Sequence, residues 1–180
     1  MSDQVDNVLV LQVLRGDLKS FETLVEKYQK PVFNLALRMV RNPDEAEDVA
    51  QATFVKAFEH LRSYNEGFKF FSWLYRIAMN ESLSVLRAKK QFARVDEAKE
   101  VPEDAPDGVE REEAASKINA ALAVLTDDQR AVVTLKHLEG FSYIEIAEIL
   151  AISEKKVKSR LFSARQVLRD VLMKSGLGSL

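Results

Sequence analysis

The chain has 180 residues, enough for one domain or two small ones. Apolar residues make up 47% and charged residues 30%, a balance that suits a soluble, folded protein. There is no cysteine, which excludes disulfides, thiolate metal sites and thiol nucleophiles and fits a reducing interior. The N-terminus lacks the basic-then-apolar order of a signal peptide. No stretch approaches the ~18 uncharged apolar residues of a membrane span, so the expected location is the cytoplasm, without membrane insertion. The net charge of −2 argues only weakly against a nucleic-acid partner, because the acidity is local. Residues 93–112 hold 3 basic and 8 acidic side chains, against 13 and 12 in 1–92 and 10 and 8 in 113–180.

With 6 Gly and 4 Pro, most of the chain can be helical. A first helix is expected over 4–15, stopping at Gly16. Asp17 caps a second to about Val40, with Phe21, Leu24, Val25, Tyr28, Val32, Leu35 and Met39 at helical spacing. Pro31 inside it allows a kink. Asn42-Pro43 opens a third helix to about Leu61. A loop at 62–70 leads to a fourth helix over 71–90. The segment 92–111, with two Pro, one Gly and eight acidic residues within or beside it, reads as a flexible acidic linker. After it come a helix over 112–124 and one opened by the capping box Thr126-Asp127-Asp128-Gln129 and ended by Gly140. A short helix follows, opened by Ser142-Tyr143-Ile144-Glu145 and running to Leu150. Ser153 caps a last helix to about Met173. No β-alternation persists. The predicted fold class is all-α, with two small helical domains, 1–91 and 112–180, on either side of the linker.

Residues 142–173 form a helix-turn-helix pattern. Ile144, Ile146, Ala147 and Leu150 make the first helix apolar on one side, and Ala151-Ile152-Ser153 is the turn. The second helix buries Val157, Leu161, Ala164, Leu168 and Val171. Lys155, Lys158, Ser159, Phe162 and Ser163 fall on the opposite face, and six basic residues over 154–169 stand against one acidic residue, Glu154. Basic charge on the exposed start of a second helix suits phosphate contact and major-groove entry. Phe162 either meets a thymine methyl or packs on a partner.

A second candidate face lies on the fourth helix. Trp73, Arg76, Asn80, Ser84 and Arg87 share one side, opposite Leu74, Ile77, Ala78 and Val85. The preceding loop adds Tyr64, Asn65, Phe68, Lys69, Phe70 and Phe71. Interleaved rings and cations suit unstacked single-stranded bases; the alternative for Trp73 and Phe71 is closure of a small core.

On these residues the chain resembles the extracytoplasmic-function group of the bacterial sigma-70 family, over nearly its whole length. Asp44-Glu45-Ala46-Glu47-Asp48-Val49-Ala50-Gln51-Ala52-Thr53-Phe54 looks like the family's polymerase-binding helix. Phe71-Ser72-Trp73-Leu74-Tyr75-Arg76-Ile77-Ala78-Met79-Asn80 looks like its −10 element helix. Leu125-Thr126-Asp127-Asp128-Gln129-Arg130, Gly140-Phe141-Ser142-Tyr143-Ile144-Glu145-Ile146-Ala147 and Val157-Lys158-Ser159-Arg160-Leu161 look like its −35-binding domain. The resemblance implies a sigma factor whose Asp48, Gln51 and Phe54 bind the β′ clamp helices of RNA polymerase core, with a further contact to the β flap. It implies that Tyr64, Asn65, Lys69, Phe70, Trp73, Arg76, Asn80, Ser84 and Arg87 hold the melted −10 strand. Lys155, Lys156, Lys158, Ser159, Arg160, Phe162, Ser163 and Arg165 are then expected on the −35 duplex. An anti-sigma factor is the expected inhibitor, and no cofactor or metal is expected.

Four residues in three places depart from the family pattern. Ala151 stands where Gly is usual, which predicts a strained or differently shaped turn because Ala tolerates positive φ poorly. Lys155-Lys156 replaces a Gly-Thr pair. Ser163 stands where a basic residue is common. The alternative reading is a helix-turn-helix regulator with a helical sensing or dimerisation domain, which explains 113–173 equally well but not the Trp73 stripe. An enzyme is a weaker third. The only histidines, His60 and His137, have Ala57 and Thr134 three residues before them, so the Glu-x-x-His motif of a di-iron bundle is absent. There is no phosphate loop or Gly-x-Ser-x-Gly.

Overall fold

Short-range capping sets where the helices begin. In the computed structural model, which describes residues 2–95 and 120–174, the first helix, α1 (Ser2–Leu14), ends at Gly16, whose φ of +102° suits a residue without a Cβ. The Asp17 carboxylate accepts from Lys19 N at 3.1 Å and from the Ser20 hydroxyl at 2.8 Å, starting α2 (Leu18–Val40). Pro31 lies inside α2 without ending it, and the Tyr75 hydroxyl donates to the Pro31 carbonyl at 3.4 Å. Asn42 Oδ1 accepts from Glu45 N at 2.9 Å, and Pro43 is the first residue of α3 (Pro43–Glu59). A 3-10 turn, Leu61–Ser63, follows, then α4 (Phe70–Val95).

The chain divides into two compact units, residues 1–85 and 86–180, and the division falls within α4. The core of the first unit joins Val10 of α1, Leu24, Val32, Leu35, Ala36 and Met39 of α2, and Ala46, Val49 and Ala57 of α3 to Leu74, Tyr75, Ala78 and Met79 of α4, all fully buried. Burying a Leu- or Met-sized side chain contributes roughly 1.5–3 kcal/mol. One carboxylate, Asp6, is buried among them. It receives Lys27 Nζ and the Tyr28 hydroxyl, each at 2.5 Å, which offsets its loss of water. Burial disfavours the Lys27 charge, but the bonds to Asp6 and Tyr28 outweigh it and raise the ammonium pKa. Burial and Asp6 push the Tyr28 phenol up to about 12.

In the second unit, α5 (Asp127–Val133) passes into a π-helical turn (Thr134–Leu138), followed by α6 (Tyr143–Leu150) and α7 (Glu154–Lys174). Both capping boxes are complete: Thr126 with Gln129, and Ser142 with Glu145. α7 packs on α5 and α6, closing a core of Leu125, Val132, Leu135, Ile146, Ile149, Val157, Leu161 and Ala164. Arg130 is buried too; its Nε donates to the Leu122 carbonyl at 3.0 Å and its Nη2 to that of Leu125 at 3.2 Å, fastening the segment before α5.

Several expectations shift. α3 stops at Glu59 rather than Leu61, and α4 covers 70–95 rather than 71–90. The helix before Gly140 widens because Glu139 N bonds to the Thr134 carbonyl, five residues back, at 3.0 Å. Leu168 is half-buried and Val171 is exposed rather than core. Most of the acidic segment 92–111 and of the helix expected over 112–124 lies outside the described residues; 120–123 are helical. Among the described residues the secondary structure is helical throughout, without strands.

Candidate nucleic-acid interface

On α4, Arg76, Asn80, Ser84 and Arg87 are exposed in the predicted stripe, and Trp73 at its head is half-buried. Helical spacing of three and four residues produces the line. The rings below it are less available. Phe70 is only 1% exposed, with ring centroids 5.5–5.8 Å from Tyr64, Trp73 and Tyr28. Tyr64 is 9% exposed, and its hydroxyl lies 2.7 Å from Asn7 Oδ1 and 2.6 Å from the Phe68 carbonyl. Both are in ring contact with Trp73 and are largely buried, where the sequence had suggested open rings. The cause is their apolar area, which the small first unit uses to close its core. Phe71 also faces inward, its ring 4.1 Å from that of Tyr75. Asn65 and Lys69 are exposed in the loop. Asn65 Oδ1 accepts from Gly67 N at 2.9 Å, and a Cβ at position 67 would meet that oxygen in a tight contact at 3.1 Å.

On α7, Lys155, Lys156, Lys158, Ser159, Phe162, Ser163 and Arg165 are exposed, with Phe162 at 65%. The turn before α7 places its alanine in the left-handed region. Ala151 takes φ +51°, ψ +46°, and Ile152 N bonds to the Ala147 carbonyl at 3.0 Å. Lys158 Nζ lies 5.7 Å from the Tyr143 ring centre and 3.8 Å from Glu154. Lys136 Nζ is 4.9 Å from the same ring. Burial, then Arg165 and Lys136, lower the pKa of nearby His137. Arg160 differs from its neighbours: its side chain is 19% exposed and its guanidinium is paired with Asp128 of α5. Ser163 accepts from Gln129 Nε2 at 2.8 Å.

On α3, Asp48 and Gln51 are exposed and Phe54 is half-buried. Val55 and Phe58, 57% and 45% exposed, continue the Asp48–Gln51 face at spacings of four and three. Among the described residues no group of three or more His, Asp or Glu side chains could hold a metal ion. No described helix is long and apolar enough to cross a membrane.

Comparison with known proteins decides the family. Residues 24–92 match the model of sigma-70 region 2 and residues 115–168 that of sigma-70 region 4. The chain is 32% identical to the RNA polymerase sigma-H factor of Pseudomonas aeruginosa, covering 96% of both chains. It is 34% identical to the extracytoplasmic-function sigma factor SigW of Bacillus subtilis, over 91% of this chain and 94% of that one. The chain belongs to the extracytoplasmic-function group of the sigma-70 family. The fold agrees: a solved structure of CnrH with the cytosolic domain of CnrY matches at TM-score 0.70 and 25% identity, over 94% of this chain and 98% of that one. The sigma factor RpoE of Bartonella quintana, solved with the anti-sigma factor NepR, matches at 0.68 and 25%, over 86% and 98%.

As a sigma factor the chain directs RNA polymerase to promoters, and sigma factors as a family are not enzymes. Four features of the sigma factor escaped the sequence reading. Val55 and Phe58 extend the α3 face, and their signal was an apolar pair at helical spacing on an otherwise acidic side. Tyr143 and Lys136 flank Lys158, and Gln129 and Asp128 hold Ser163 and Arg160. The last pairs join residues 34 and 32 apart, which periodicity cannot connect.

Proposed function

We propose that the sigma factor works through three faces on two domains, 1–91 and 112–180, joined by the acidic segment 92–111. The α3 face, with Asp48, Gln51 and Phe54, docks on basic β′ clamp helices of polymerase core, and the second domain meets the β flap. Trp73 stacks on an unpaired base of the −10 element. Asn80 and Ser84 offer hydrogen bonds to bases, and Arg76 and Arg87 meet phosphates, with Asn65 and Lys69 beside them. The outer face of α7 lies on the −35 duplex. An anti-sigma factor holds the protein inactive, as the Bartonella neighbour was captured with one. Its action on polymerase places it in the cytoplasm.

The observation that carries this reading is the open α4 stripe, exposed from Arg76 to Arg87 beneath a half-buried Trp73. A regulator that binds only duplex DNA has no use for it. In vitro transcription with core polymerase on a genomic library tests the whole reading. Selective initiation is expected; initiation no more selective than that of core alone refutes it. Charge reversal by Asp48→Arg is expected to weaken binding to core while leaving binding to −35 duplex intact. Unchanged core affinity moves that interface elsewhere.

A further inference from the structure

Ser163 is a short, uncharged residue on the exposed side of α7, where a cation would reach further. One side of its hydroxyl oxygen is already engaged. Gln129 is the N3 residue of the α5 capping box. Its Oε1 accepts from Thr126 N at 3.0 Å, and its Nε2 donates to Ser163 Oγ at 2.8 Å. The backbone N–H of Thr126 can only donate, so the amide oxygen must face it and the amide nitrogen must face Ser163. Ser163 is therefore forced to accept from Gln129, and its own proton points away from that bond. Among the described residues no acceptor takes that proton. Beside it, the Arg160–Asp128 pair ties the same edge of α7 to the same turn of α5.

We propose that Gln129 is a positioning residue that makes Ser163 a directed hydrogen-bond donor to an acceptor on the −35 duplex. The inference rests on the placement of α7 on that duplex. The acceptor is either a base-edge oxygen or nitrogen in the major groove or a non-bridging phosphate oxygen; both take a single O–H donor.

The test uses holoenzyme assembled from core polymerase and the full chain, bound to promoter DNA with a randomised −35 element. A parallel set of probes carries single methylphosphonate substitutions. Ser163→Ala is expected to lower discrimination roughly twofold to tenfold at one base position, or to abolish the effect of one methylphosphonate, the loss of one net hydrogen bond. The first outcome names a base and the second a phosphate. Ser163→Thr keeps the hydroxyl and is expected to behave as wild type. Gln129→Glu preserves the capping box, so melting is expected to stay unchanged. Its second carboxylate oxygen now accepts the Ser163 proton, reversing the bond, so it is expected to lose the same position as Ser163→Ala. In the double variant that position is expected to show no further loss. If Ser163→Ala leaves every position and every methylphosphonate effect unchanged, or Gln129→Glu keeps full preference at the Ser163 position, the proposal is overturned. A wild-type holoenzyme with no −35 preference at all instead overturns the placement of α7.

Discussion

The α4 stripe and the α7 face both present polar side chains along one side of a helix, but they are built differently. On α4 the half-buried ring of Trp73 stands on Phe70 and Tyr64, which belong to the core of the first unit. On α7 the outward residues Lys155, Ser159 and Phe162 carry little of the core, which is closed by Val157, Leu161 and Ala164. The floor of the first surface cannot be altered without touching stability; the outward residues of the second can. On the proposed reading, a helix that holds an extruded base gains from a rigid floor, whereas one that lies in a groove needs only a firm back.

The sharpest way to break that contrast is Phe70→Ala. Removing a fully buried ring is expected to cost ~3–5 kcal/mol, while Phe162→Ala is expected to be neutral within about 0.5 kcal/mol. Denaturant unfolding of the two full-length variants checks it, and equal midpoints sink the distinction. Trp73→Ala and Asn80→Ala come next. Both are expected to impair promoter opening more than duplex binding, with the stacking loss at ~1–3 kcal/mol. Permanganate reactivity of the melted region reports this; wild-type reactivity in folded variants means the stripe does not hold the −10 strand.

On α7, Lys158→Ala is expected to weaken −35 binding and, if its contact is to phosphate, to shallow the salt dependence by about one counterion. Phe162→Ala is expected to leave the salt slope alone and relax preference at one or two positions, at ~1–3 kcal/mol per lost base contact. Binding to a randomised −35 library at several salt concentrations separates the two. The smallest expected effect is on pH dependence. His137 has its pKa lowered by burial, then Arg165 and Lys136, so the folded state binds its proton less readily than the unfolded chain. Its contribution is complete above about pH 6.5 and declines as pH falls through the lowered value. Melting of His137→Gln at pH 5 and pH 7.5 is expected to differ less than melting of the wild type.

What the sequence disclosed was mostly local. Asp17, Asn42, Thr126, Ser142 and Ser153 were legible as caps because the bond each makes closes within three residues. The α7 stripe was legible because its buried positions recur every three or four residues. The π-helical turn was not, since it depends on how Phe141 and Gly140 fold back, with Phe141 N reaching the Leu135 carbonyl at 3.0 Å. Nor was the burial of Phe70 and Tyr64, because an aromatic beside a lysine in a loop looks the same whether its ring faces water or core. The Asp6–Lys27–Tyr28 cluster was also hidden, as its members are contributed by two helices and only their packing unites them.

Ala151 has a consequence for how the second unit opens. A left-handed alanine costs about 1–2 kcal/mol that glycine avoids. The strain sits at the joint between α6 and α7, so rare partial openings of this unit are expected to begin there and to expose the Ile152 amide to exchange with solvent. In deuterium exchange that amide is expected to label ahead of those in the middle of α7. Ala151→Gly is expected to slow it, although glycine gives back part of the gain by loosening the unfolded chain. The hinge of the DNA-reading motif would then be the softest seam in a region whose two faces are otherwise firmly joined.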